Sequence, residues 1–223
     1  MTRRLSPIIF AGCVGWRVVA ADAEPPEFRI TVLVANRAGI PADTIAKMQS
    51  EAGWVLSKAG VPTEWVDCPS STESAEAKSP CAGQLGGTRF LVRLTHDHIP
   101  HHGSASDMAL GFSHVTSDGG TYATLLMDLI EELADHQELV SRGQILGHAV
   151  AHEIGHLIMG LNSHSSHGLM RSGWKAKELH DMAERHLLFS KQEGERMRIR
   201  IRSTDELETC AYGPPALSVA SPR

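Results

Sequence analysis

Positive charge and long apolar runs are both scarce in this sequence. Its 223 residues include 21 Lys and Arg against 26 Asp and Glu, a formal net charge of −5. A chain of this charge lacks the large basic surface that nucleic acids and anionic membranes require, so we expect neither as a partner. Beyond the N-terminus, no stretch approaches the roughly 20 apolar residues that cross a bilayer. We therefore expect a soluble mature protein.

Aromatic residues are also few, at 5% of the chain. Hydrophobic residues nevertheless make up 42% and charged residues 21%, which excludes a disordered chain and is typical of one globular domain. The unusual count is 13 His beside five Phe and two Tyr. Because His is the commonest metal ligand, the composition directs attention to metal chemistry.

The first 23 residues have the pattern of a secretory signal peptide. Two Arg at residues 3–4 precede an apolar run over residues 5–16, and a small-residue cleavage motif ends at Ala23. We therefore predict a secreted or periplasmic protein. Lipidation at Cys13, which alone would attach the mature form to a membrane, and an uncleaved N-terminus stay open. The sequence does not indicate an oligomeric state.

The few cysteines agree with export. Cys68 and Cys81 flank a stretch poor in apolar residues, at residues 69–80. A disulfide between them would close this loop and stabilise the fold by about 3 kcal/mol. Two unpaired thiols are the alternative, and Cys210 has no evident partner.

Hydrophobic periodicity predicts one α/β domain at residues 24–205, followed by a flexible tail at residues 206–223. Strands are predicted at residues 28–35, 63–66, 89–94, 109–115 and 122–128. Helices are predicted at residues 43–59, 142–159, 175–187 and 191–201. The helix at 142–159 has a capping box at its start and Gly160 as its stop.

Chemistry is concentrated in the sequence His152-Glu153-Ile154-Gly155-His156, an H-E-x-x-H motif within that helix. Residues four apart lie on one helix face, so both imidazoles can bind one zinc ion. Glu153 lies beside the pair and can accept a proton from zinc-activated water as general base.

A catalytic zinc needs a third protein ligand, and the chain after Gly160 offers His164 and His167. His148 lies eight residues before His156, about 12 Å along the helix axis, so the two cannot bind the same ion. We interpret His148 as a packing or supporting residue.

The spacing of these residues, together with Met170 after the third His, resembles the zinc site and Met-turn of the metzincin metallopeptidases. Residues 147–174 are most similar to small, predicted secreted bacterial proteins of that type. The resemblance implies a mixed twisted sheet with an antiparallel edge strand, a long active-site helix and C-terminal helices. It also implies His164 as third ligand. Each interval around Gly160 has one residue more than the usual motif, so His167 stays the alternative.

The residues and the resemblance together predict a zinc-dependent metalloendopeptidase acting on peptides or proteins. An extended substrate would pair with the predicted edge strand at residues 109–115. The alternative is a zinc-binding recognition module without proteolytic activity. The His-rich segment at residues 96–102 is interpreted as a solvated loop rather than a second metal site.

Overall fold

The computed structural model describes residues 28–69, 81–97, 109–116 and 119–212, with side chains described as far as residue 204. The predicted signal peptide, Cys13 and most of the His-rich loop lie outside the described residues, and those predictions stay predictions. Within the described part, no helix has both the length and the apolar character needed to cross a membrane.

Five strands of the described chain form one mixed sheet. They are β1 (Ile30–Asn36), β2 (Thr63–Asp67), β3 (Arg89–Thr95), β4 (Gly111–Thr116) and β5 (Gly119–Leu126). Their order across the sheet is β2-β1-β3-β5-β4. Strands β2, β1, β3 and β5 are parallel to the strands they pair with in this order, and β4 runs antiparallel to β5 at the edge. The predicted mixed sheet with an antiparallel edge strand is confirmed.

The described residues also form five helices. They are α1 (Ala42–Lys58), α2 (Met127–Asp135), α3 (Arg142–Met159), α4 (Ala176–Ala183) and α5 (Lys191–Tyr212). Helix α3 is the centre of the core, because it contacts α1, α2, α5 and both strands of the antiparallel pair. Residues 145–158 of this helix are all buried. The predicted fold class, with a long central helix and helices after it, is confirmed.

The ends of α3 follow from local signals. The Ser141 hydroxyl accepts from the Gln144 backbone, and the Gln144 side chain accepts from the Ser141 backbone, so both capping-box bonds are present. Gly160 adopts φ 67°, a left-handed conformation that ends the helix at little cost for glycine. The predicted bounds of this helix are confirmed.

Helix α2 was not predicted, because the strand before it was extended through residue 128. The structure ends that strand at Leu126 and buries Met127, Ile130 and Leu133 on one helical face. This three-residue spacing was a readable helix signal. The helix has only nine residues and directly follows an apolar strand, so its apolar residues were assigned to the strand.

The last two helices also differ from the prediction. Helix α4 ends at Ala183 because Arg185 adopts φ 60°, which a helix cannot contain. Helix α5 continues to Tyr212, past the predicted start of the tail at residue 206. No glycine or proline interrupts the chain between Gly194 and Gly213, so nothing local ends the helix earlier.

A disulfide closes the loop after β2. Cys68 and Cys81 are bonded, with their Cα atoms 5.6 Å apart, as predicted. The Cys68 backbone N–H also donates to the carbonyl of Val34 in β1, so this end of the bridge is fixed to the sheet. Residues 70–80 within the loop lie outside the described part.

Glycines let α1 and α3 pack with their backbones close together. A Cβ on Gly147 would lie 2.7 Å from Glu51 Cβ and 2.9 Å from the Met48 carbonyl oxygen. Because the second neighbour is backbone, it cannot move aside like a flexible side chain. The close approach fixes the helix that carries the H-E-x-x-H motif against the rest of the core.

We expect Gly147→Ala to lower the free energy of unfolding by about 1–3 kcal/mol, the usual cost of overpacking a close contact. Urea denaturation followed by circular dichroism measures this. Gly53→Ala in α1 is the matched control, because its Cβ would meet only Trp65 Nε1, at 3.3 Å. Equal stability of Gly147→Ala and wild type would contradict the close packing described here.

A buried carboxylate also joins α1 to the segment after α4. The Glu51 side chain has no exposed surface, and its Oε1 accepts from Lys47 Nζ at 2.6 Å and Arg185 at 3.1 Å. Burial raises the pKa of Glu51, but the hydrogen bonds and charges of these two cations outweigh it. The pKa therefore lies below the ordinary value of 4.5.

Since folding favours the ionised form of Glu51, its contribution to stability is present above the unfolded-state pKa and is lost as pH falls through the lower folded-state pKa. We expect Glu51→Gln to cost about 1.5–3 kcal/mol at neutral pH, as for hydrogen bonds to charged groups. The variant should lose less stability than wild type on acidification below about pH 4.5. Urea denaturation across a pH series tests this, with the exposed Glu64→Gln as control. Parallel pH curves for Glu51→Gln and wild type would contradict it.

Candidate metal centre

Helix α3 presents two imidazoles on one face. His152 and His156 lie one turn apart, and their side chains are 8% and 4% exposed. Their Nε2 atoms are 3.0 Å from each other. The four-residue spacing alone therefore brings two nitrogen atoms to one point, as the motif predicts.

The third imidazole comes from the chain that leaves α3 at Gly160. His164 Nε2 lies 3.3 Å from His156 Nε2, and nitrogens of all three histidines lie within 4.8 Å of one another. His167 is exposed and contacts the neighbouring Ser166 hydroxyl instead, at 3.1 Å. The structure thus brings together His152, His156 and His164, and leaves His167 out of the group.

Backbone carbonyls fix the orientation of both helical imidazoles. His152 Nδ1 lies 2.8 Å from the Leu169 carbonyl oxygen, and His156 Nδ1 lies 2.6 Å from that of Leu161. A carbonyl oxygen only accepts hydrogen bonds, so each Nδ1 must carry the proton. In the neutral rings, the Nε2 lone pairs then point at each other and cannot hydrogen-bond.

A cation resolves this conflict. Three converging imidazole nitrogens, with the opposite ring nitrogens of His152 and His156 held by carbonyls, match zinc sites that keep an open fourth position. The residues present therefore fit a zinc ion, and a mutual hydrogen bond does not explain the geometry.

The electrostatics keep the helical imidazoles neutral. Burial, with a smaller effect from neighbouring His156 and His164, lowers the pKa of His152 to about 3, against the raising effect of its carbonyl partner. Burial likewise lowers the pKa of His156. Neutral imidazole is the form that binds a metal, so no proton needs to be displaced from the two helical rings near neutral pH.

Glu153 lies beside the imidazoles with its side chain almost wholly buried. Its Oε2 accepts from the Ser113 hydroxyl at 2.6 Å, and Ser113 belongs to the edge strand β4. Burial raises the pKa of Glu153 to about 7, although the hydrogen bond from Ser113 lowers it. A carboxyl with such a pKa exchanges protons readily near neutral pH.

Met170, for which we predict a Met-turn, lies against the helix that carries the H-E-x-x-H motif. Met170 is 1% exposed, and a Cβ on Gly155 would lie 3.0 Å from its sulfur atom and 2.7 Å from Phe189 Cε1. A side chain at residue 155 would therefore have to displace the side chains of Met170 and Phe189. The residue before Met170 supplies the carbonyl that holds His152, so the turn supports the site through its backbone.

A cavity of about 290 Å³ opens beside the three imidazoles and Glu153. One wall is the edge strand β4, and another is the segment from Arg171 to Trp174. Leu110, Leu133 and Ala149 add apolar surface. A cleft of this kind has room for a small ligand group beside the three imidazoles and Glu153.

No protein-family model matches the chain, and no curated protein matches it. Among solved structures, it is similar to archaemetzincin from Methanopyrus kandleri, with 13% sequence identity and a TM-score of 0.49. That likeness covers 80% of this chain and 99% of the other.

His148 lies in α3 apart from the three grouped imidazoles. Its Nδ1 lies 2.9 Å from the Gln144 carbonyl oxygen, and its ring meets Trp174 edge-on with centroids 6.5 Å apart. Burial lowers the pKa of His148. This environment agrees with the interpretation of His148 as a packing residue.

The exposed His96 lies near Asp128 and Glu131, with candidate ligand atoms within 4.8 Å of one another. Glu131 pairs with Arg142 at 3.0 Å, and His96 lies 2.6 Å from the Asp128 carboxylate. These pairings account for the cluster without a metal. The solvated-loop interpretation otherwise falls on residues outside the described part.

Sequence reasoning missed Ser113, which contacts the catalytic candidate Glu153. The two residues are 40 positions apart, and a single serine in a strand belongs to no motif. Only the alternation of β4 offered a signal, because it divides the strand into residues facing α3 and residues facing away.

Proposed function

We propose that this protein is a zinc-dependent metalloendopeptidase with Glu153 as general base. One observation carries the proposal: three imidazole nitrogens converge while carbonyls hold the opposite nitrogens of the two helical rings. A buried carboxylate that is not part of this ligand group lies beside them. A site built only to bind a metal has no use for that carboxylate.

The three histidines, Glu153 and Ser113 would each have a separate role in peptide hydrolysis. Zinc bound by His152, His156 and His164 would supply Lewis acidity, which lowers the pKa of a water molecule and polarises a peptide carbonyl. Glu153 takes the proton of the attacking water and passes it to the leaving amine. Ser113 holds Oε2 of Glu153, which leaves Oε1 as the oxygen available for this transfer.

The edge strand and the cavity support a peptide substrate. Strand β4 pairs with β5 on one side and lies at the sheet edge, so its other side can receive an extended peptide. Gly111, Phe112 and Ser113 of this strand line the same cavity as the imidazoles. A peptide paired there would pass its backbone over the metal-binding residues.

Export belongs to the same proposal. A signal-peptide pattern at residues 1–23 and the disulfide between Cys68 and Cys81 both favour an oxidising compartment. We propose that the mature protein acts in the periplasm or outside the cell.

The test uses the purified mature protein and a peptide library analysed by mass spectrometry, with and without a metal chelator. We expect internal cleavage of peptides that the chelator stops and added zinc restores. A protein that binds zinc but cleaves nothing in any peptide would instead support the recognition module. Cleavage that the chelator leaves unchanged would contradict the zinc mechanism.

A further inference from the structure

The third imidazole stands in a different environment from the other two. His152 and His156 are buried in a helix, whereas His164 is exposed and lies in the segment between α3 and α4. A side chain on such a segment loses conformational freedom when it binds a metal. The affinity of the site therefore depends on how firmly the backbone around His164 is held beforehand.

The next residue, Ser165, connects that segment to the rest of the protein by two hydrogen bonds. Its backbone N–H donates to the Met170 carbonyl at 2.8 Å, which ties it to the Met-turn. Its hydroxyl donates to Glu193 Oε1 at 2.5 Å, which ties it to the first turn of α5. These two bonds restrain the residue beside His164 from both sides.

Glu193 has a double role at the start of α5. Its Oε2 accepts from the Ser190 backbone N–H at 2.7 Å, while its own N–H donates to the Ser190 hydroxyl, as in a capping box. The other carboxylate oxygen is the one that receives Ser165. With its side chain 7% exposed, Glu193 forms charge-assisted hydrogen bonds shielded from water, which are stronger than neutral ones.

We propose that Glu193 is a positioning residue for the metal site: through Ser165, it holds His164 where its Nε2 meets those of His152 and His156. The proposal rests on the metal site of the proposed function. It adds that α5 helps to set metal affinity, although its residue Glu193 lies 28 positions from Ser165 and is no ligand.

The test measures zinc affinity by competition with a chromophoric chelator, in full-length protein. We expect Ser165→Ala to weaken zinc binding by about 10–100-fold, the usual effect of removing an outer partner of a metal ligand. Ser165→Thr keeps the hydroxyl and should restore most of the affinity. Ser166→Ala, at the exposed neighbouring residue, is the matched control and should bind zinc like wild type.

Glu193→Gln and the double variant with Ser165→Ala test whether the two residues act together. If they do, the double variant binds zinc no more weakly than the weaker single variant, because one shared contact is lost. The absorption spectrum of bound Co²⁺ gives a second readout, since loss of one imidazole changes the coordination geometry. Thermal unfolding of the metal-free variants identifies effects on folding. Ser165→Ala keeps the α5 capping box, so it remains informative if Glu193→Gln folds poorly.

Two results would overturn the inference. Unchanged zinc affinity and Co²⁺ spectrum in Ser165→Ala would show that Glu193 only caps a helix, while the proposed function stands. Wild-type protein that binds no zinc would instead remove the proposed function, and this inference with it.

Discussion

Glu153→Gln is expected to lower kcat/KM for peptide cleavage by about 10²–10⁴-fold, the usual contribution of a general base. The amide keeps the size of the side chain and can still accept from the Ser113 hydroxyl, so the local packing is preserved. It cannot take a proton from water. Because Glu153 is not among the three converging imidazoles, zinc content should equal that of wild type.

The measurement combines peptide kinetics with metal analysis on the same preparation. Glu132→Gln, an exposed glutamate of α2 outside the cavity, is the control and should keep full activity. A variant that cleaves as fast as wild type would remove Glu153 from the mechanism. Loss of zinc from Glu153→Gln would instead show that this carboxylate helps to hold the metal.

His164→Ala is expected to weaken zinc binding by at least about 100-fold. Structural zinc sites with four ligands have apparent binding free energies of about 10–16 kcal/mol, or about 2.5–4 kcal/mol per ligand. Loss of one ligand at that scale corresponds to a factor of about 100–1,000. Peptide cleavage should fall to background at zinc concentrations that saturate wild type.

His167→Ala is the natural comparison, because this histidine is three residues away and outside the group. We expect it to keep wild-type zinc affinity and activity. Equilibrium competition with a chelator and a zinc titration of activity test both variants. The reverse outcome, with His167→Ala losing the metal and His164→Ala retaining it, would show that the backbone after Gly160 brings His167 to the metal instead of His164.

The central helix could be predicted residue by residue, because its signals are local. Ser141 and Gln144 form the capping box, and Gly160 supplies the left-handed stop. Helix α2 was missed because its apolar spacing directly continues an apolar strand at Leu126. The nine residues of the helix are too few for that spacing to be distinguished from the end of the strand.

In the candidate site, too, the features set by local sequence could be predicted and those set by distant contacts could not. The spacing of His152, Glu153 and His156 is local, and one helix turn determines their convergence. The sequence left two candidates for the third ligand, His164 and His167, because the position of that ligand depends on the path of the backbone after the helix. Ser113 and Glu193 could not be found, because their contacts join residues 40 and 28 positions apart.

X-ray absorption at the zinc edge, on protein purified without added metal, tests whether the three imidazoles hold a zinc ion. We expect bound zinc with nitrogen and oxygen neighbours at about 2.0–2.1 Å and the outer-shell scattering of three imidazoles. His164→Ala should remove one imidazole from that signal, and His167→Ala should not. Protein that carries no zinc, or zinc with sulfur neighbours at about 2.3 Å, would contradict a zinc site formed by His152, His156 and His164.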